Sequence, residues 1–130
     1  MKVLLINEDK EFDTQTKKVL GHDAKVYVCS EKMFPKGLLC NIDILILNLS
    51  EDKVKDKDFK IIMDVKCKSD VPMLVSLKNA STSDLLEVLA LGAIDVMEYP
   101  VPDDFYRKKI QEICRWNWYM KWVKEQKYDN

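Results

Sequence analysis

Residues 42–50 read Ile-Asp-Ile-Leu-Ile-Leu-Asn-Leu-Ser, and this stretch decides the fold. Ile44, Leu45, Ile46 and Leu47 are apolar at both parities, so neither face of the strand they form meets water. Such strands belong to parallel sheets covered by helices on both sides. In open α/β sheets the ligand crevice lies beyond the carboxyl ends of the strands, near the point where strand order reverses. Asn48 then stands at the functional rim.

Working outward, Lys2 to Ile6 reads as a first buried strand, followed by Asn7-Glu8-Asp9 and a helix to about Leu20 that Gly21 closes. Ala24 to Cys29 alternates apolar and polar as an edge strand does. Between Glu31 and Asn41, Pro35 and Gly37 make any helix short or irregular. The run Glu51 to Asp58 reads as solvated charge, and the helix after it presents Phe59, Ile62, Met63 and Val65. Pro72 opens a buried strand, Met73 to Leu77. Ser81 and Asp84 form a capping-box start for a helix carrying Leu85, Val88 and Leu89, which Gly92 ends. A fifth strand spans Ile94 to Tyr99, and Pro102 opens a last helix with Tyr106, Ile110 and Ile113 on its inner stripe. Five strands alternating with helical segments predict a doubly wound, flavodoxin-like parallel sheet of order 2-1-3-4-5 with right-handed crossovers. That order brings Asn7, Glu8, Asn48, Leu77 and Tyr99 to one rim.

The chain of 130 residues fits one domain with a self-sufficient core. Lysine and arginine (21) nearly cancel aspartate and glutamate (22), leaving no field that would draw the chain to nucleic acid. Cys29, Cys40, Cys67 and Cys114 are widely spaced, with His22 as the single histidine, so they read as reduced, mostly buried thiols rather than zinc ligands. His22 reads as a surface turn residue. Val3 to Ile6 is too short for a signal peptide or a membrane span, which points to the cytoplasm.

Up to about Arg115 the order of these landmarks resembles the receiver domain of bacterial two-component response regulators. In that family an acidic pair follows the first strand, an aspartate ends the third, a serine or threonine ends the fourth and a Lys-Pro pair ends the fifth. The matching positions here are Asn7-Glu8, Asn48, Leu77 and Tyr99-Pro100, and the Val71-Pro72 and Gly92-Ala93 steps match as well. The resemblance implies phosphorylation of an aspartate with Mg²⁺ neutralising the phosphoryl oxygens. It also implies a cis bond at Tyr99-Pro100. An amide at position 48 has no carboxylate nucleophile, and Asn7 and Asn48 replace anionic metal ligands. The expectation is therefore a degenerate receiver, a pseudo-receiver, with no catalytic residue. Its vestigial pocket comprises Asn7, Glu8, Asp9, Asn48, Leu77 and Tyr99. Mg²⁺ binding should be weak or absent, Glu8 and Asp9 being the only candidate ligands. Ser76 should face away from this pocket, and the Tyr99 hydroxyl should reach into it and bond to Asn48 or Glu8.

The last helix outlasts the sheet, so the chain divides into a receiver-like domain, 1–115, and a helical extension, 116–130. Trp116, Trp118 and Trp122, with Tyr119, Met120 and Val123, wrap most of that extension and read as a dimer or partner interface. Receivers also associate through the face of their fourth helix, fifth strand and fifth helix, where Leu86, Asp95, Arg107 and Lys108 are the candidates. The function expected is phosphorylation-independent signalling through a protein partner or homodimer, without membrane contact. Three readings compete: a conventional receiver with Glu8 or Asp9 as acceptor, a small-ligand sensor at the vestigial pocket, and a DNA-associated regulator acting through a further domain.

Overall fold

The computed structural model describes residues 1–32, 34 and 41–128. The segment expected to hold an irregular helix around Pro35 and Gly37, and Cys40 with it, falls outside them. Strands β1 (Lys2–Ile6), β2 (Lys25–Cys29), β3 (Ile44–Asn48), β4 (Met73–Leu77) and β5 (Asp95–Glu98) form one five-stranded sheet. All pairings are parallel and the order is β2-β1-β3-β4-β5, as the sequence predicts. Helices α1 (Lys10–Leu20), α2 (Glu51–Lys55), α3 (Lys60–Lys68) and α4 (Thr82–Leu91) lie between strands, α5 (Asp103–Tyr128) follows the last one, and together they cover both faces.

Because side chains alternate along a strand, the sheet divides the core in two. Leu4, Ile6, Leu45, Leu47, Met73, Val75 and Leu77 pack on one face with Val54 of α2, Ile62 and Val65 of α3 and Val88 of α4. Val3, Leu5, Ile44, Ile46, Leu74 and Met97 pack on the other with Phe12 and Val19 of α1 and Tyr106, Ile110 and Ile113 of α5. Among the residues of α5 whose burial is described, Ile113 is the last to be buried. β2 is the half-exposed edge.

Local chemistry sets the boundaries. Asp9 caps α1 by accepting from the Glu11 backbone N–H (2.9 Å), and Gly21, at φ 73°, ends it. The Ser81–Asp84 capping box is present in both directions at the start of α4. Two expectations fail. The charge run after Ser50 contains a real helix, α2, because Ser50 caps it through the Lys53 N–H and Val54 gives it one buried anchor. In α3, Met63 is half exposed while Ile61 turns inward, so the buried stripe is Ile61, Ile62 and Val65. Among the described cysteines none is fully buried: Cys29 and Cys114 are half buried and Cys67 is exposed. His22 is exposed in the turn after α1.

Candidate functional site: an amide-filled crevice

A crevice of about 430 Å³ opens at the carboxyl ends of β1 and β3. Asn7, Glu8, Asp9, Asn48 and Tyr99 line it, joined by Ser50, Glu51 and three lysines, Lys32, Lys53 and Lys78. The rim therefore assembles five of the six residues expected there.

Asn7 organises the floor. The Asp9 backbone N–H donates to Asn7 Oδ1 at 3.0 Å, which fixes that atom as the acceptor end of the amide. Asn7 Nδ2 then donates to the Asp9 carbonyl at 2.5 Å and to Asp13 Oδ1 at 2.6 Å. Asn48 Nδ2 donates to Asn7 Oδ1 at 2.8 Å, tying the end of β3 to the end of β1. Amide hydrogens thus lie between oxygens where the resemblance implies a cation. Asp9 is already engaged as the α1 cap, and Glu8 is exposed. Among the described residues no group of three or more His, Cys, Asp or Glu side chains is arranged to hold a metal.

Leu77 is the residue that does not join. It is fully buried in the cluster on the α3–α4 side, because Asn48 pairs in register with Ser76 and not with Leu77. Ser76 takes the face opposite Leu77, as strand alternation predicts; it shares that face with Asn48 but does not line the crevice. It is fully buried, and its hydroxyl has no hydrogen-bond partner among the described residues. The Tyr99 hydroxyl does not reach Asn48 or Glu8 through a hydrogen bond. Its ring instead packs edge-on against Phe12, centroids 5.4 Å apart, and borders both the crevice and a shallow groove between α1 and the start of α5. Burial, then the negative charges of Asp9 and Glu11, hold that hydroxyl above its usual pKa, so it stays protonated. The Tyr99-Pro100 bond is cis.

Sequence reasoning missed Asp13 and the three lysines. Asp13 was legible as a carboxylate in the first turn of α1, one helical turn beyond the Asn7–Asp9 loop. Lys53 bridges Glu31 (2.9 Å) and Asp58 (3.1 Å), which raise its pKa in that order, and so closes one wall of the crevice. Lys78 approaches Glu51 at 3.9 Å, and Asn79 donates to the same carboxylate at 2.5 Å.

On the α4–β5–α5 side, Leu86 is 61% exposed and Lys108 is exposed, while Asp95 pairs with Lys109 at 2.7 Å and Arg107 with Asp104 at 3.1 Å. Beyond Ile113, Trp116, Trp118, Tyr119 and Trp122 are all exposed. No helix among the described residues is long and apolar enough to cross a membrane.

The fold and the position of the crevice define a doubly wound, flavodoxin-like α/β domain with its cleft at the carboxyl ends of the strands. No protein-family model matches the sequence, and no curated protein does. Solved structures do. A response regulator receiver protein from Pseudoalteromonas atlantica is 17% identical over 88% of this chain and 98% of that one, with TM-score 0.75. A response regulator from Thermotoga maritima gives 16% identity over 88% and 97%, with TM-score 0.74. A two-component response regulator from Clostridium difficile gives 18% over 88% and 96%, with TM-score 0.74. At these identities the likeness is one of fold.

Proposed function

We propose that the protein is a receiver-like signalling module that works without phosphorylation, through contact with another protein. One observation carries this reading: Asn48 donates an N–H to Asn7, whose own N–H group is turned to Asp13. Aspartyl phosphorylation needs a carboxylate oxygen to attack phosphorus, and the amide at the end of β3 is spent as a donor. A divalent cation needs oxygen lone pairs converging on one point, and here amide hydrogens point between those oxygens. The donor set does not suit Mg²⁺, and no step of the function passes through one. What remains for signalling is surface, and the exposed side chains of α4 and α5 supply it.

The test is incubation with acetyl phosphate or beryllofluoride and Mg²⁺, read by intact mass and melting temperature. No adduct and an unchanged melting temperature are expected. A stable phosphoryl adduct, on Glu8, Asp9 or elsewhere in the crevice, overturns the reading in favour of a conventional receiver with a displaced acceptor. A second reading is favoured by the size of the crevice, which lies within the range of small-ligand sites. Thermal-shift screening of polar metabolites tests it, and a saturable rise abolished by Asn48→Leu would support it.

A further inference from the structure

α5 carries a seam that its own domain leaves exposed, although the Lys109 ammonium lies 5.3 Å from the centre of the Phe105 ring. Phe105, Lys108, Glu112, Arg115, Tyr119 and Trp122 recur at intervals of three and four, the spacing that lines one side of a helix facing another helix. All six are exposed. None of Lys108, Glu112 and Arg115 makes an ion pair among the described residues. The inner stripe of the same helix, Tyr106, Ile110 and Ile113, is the part that its own sheet buries.

We propose that the occupant of this seam is the α5 helix of a second copy, running antiparallel, so that the projecting half of each helix lies along the domain-bound half of the other. The order of residues selects both the partner and its direction. Antiparallel pairing about the midpoint between Glu112 and Arg115 sets Glu112 against Arg115 of the other chain, Lys108 against the Tyr119 ring, and Phe105 against Trp122. Two-fold symmetry makes each of these contacts twice. They are an ion pair, a cation over an aromatic face, and an aromatic pair. The parallel alternative puts lysine on lysine, glutamate on glutamate and arginine on arginine, and like charges facing each other are repulsive. Trp116 and Tyr119, and Tyr119 and Trp122, already stand with ring centroids 6.0 and 6.1 Å apart, a ladder of rings along this side of the helix. The inference deepens the contact-based function proposed above and rests on it for its signalling meaning.

Sedimentation over a wide concentration series of the full chain is the experiment. The wild type should self-associate to a dimer, Arg115→Glu should weaken the dimer by about tenfold or more, and the Glu112→Arg, Arg115→Glu double variant should restore it. In a parallel pair Arg115→Glu only exchanges one like-charge contact for another, so an unchanged dimer there overturns the antiparallel assignment. A wild type that stays monomeric throughout overturns the pairing altogether. These variants are exposed and outside the crevice, so the phosphorylation test on the same preparations is independent. An adduct there removes the phosphorylation-independent reading while leaving the pairing standing, and a monomer removes the pairing while leaving that reading standing.

Discussion

The Asn7 side-chain amide takes part in four hydrogen bonds, two through each end, and this saturation governs what substitutions at the crevice can do. Asn48→Asp would set a carboxylate oxygen against Asn7 Oδ1 at the present 2.8 Å, replacing a donor with a charged acceptor. Losing that bond and creating the repulsion should cost about 1–3 kcal/mol. Chemical denaturation should show the loss without any gain of Mg²⁺ binding. Converting Asn7 to Asp as well should lower stability further in a metal-free buffer but make it recover steeply with Mg²⁺, because Asp13 and the two new carboxylates would then converge on one point. Equal Mg²⁺ response from the single and double variants would contradict this account of Asn7. On the same side of the sheet, Thr16 Oγ1 donates to the Phe12 carbonyl at 2.8 Å and meets the Tyr106 hydroxyl at 2.7 Å, both residues being fully buried. Thr16→Val should cost more than Tyr106→Phe. The first leaves a buried hydroxyl without a partner, at about 1–3 kcal/mol, while the second leaves Thr16 still bonded to the backbone. Urea midpoints of the two variants decide it.

At the scale of elements, α4 is pinned at its first turn. Asp84 accepts from the Ser81 N–H at 2.9 Å and forms a short ion pair with Lys57, which sits at φ 55° in the turn after α2. The Lys57 ammonium and then the Ser81 backbone hold the Asp84 carboxyl below its usual pKa. A carboxyl whose folded pKa is depressed contributes stability above its unfolded value, about 3.9, and loses it as pH falls through the folded value. Asp84→Asn should therefore lower the melting temperature at neutral pH, and the gap from wild type should close as the pH falls below about 4. A gap that stayed constant with pH would assign the effect to packing alone. The capping box that supplies half of this arrangement was legible in Ser81 and Asp84, as were all five strands, because apolar parity and helix caps are local signals. Lys57 was not, since it reaches Asp84 only through the fold. The misplacement of Leu77 has the same origin. Landmark order fixes where along β4 the crevice must lie, but which face a residue takes depends on the register of β4 against β3, and Asn48 pairs with Ser76. For Tyr99, the ring's contact with Phe12 outweighs a hydroxyl bond to the amides, and that competition between burial and hydrogen bonding is decided by tertiary packing.

Across the whole molecule, the core closes at Ile113 while α5 runs on to Tyr128, about 22 Å further at 1.5 Å per residue. All three tryptophans belong to that projecting part, at 53%, 67% and 45% exposure for Trp116, Trp118 and Trp122. The indole emission of this protein therefore reports on the outer helix and says little about the sheet. In dilute solution the native spectrum should already resemble that of solvated tryptophan, and denaturant should change it little across the transition that far-ultraviolet circular dichroism records. Raising the protein concentration should shift emission to the blue as Trp122 comes against a second chain, with no change in secondary structure. Arg115→Glu should move that shift to higher concentration. The two probes would then fail to coincide because they follow different equilibria, folding and association, and a two-state analysis of the fluorescence alone would give a stability that depends on protein concentration. Emission that is strongly blue-shifted at every concentration and reddens together with loss of the circular dichroism signal would mean that the aromatic helix folds back on its own domain, leaving the seam of α5 no second chain to receive.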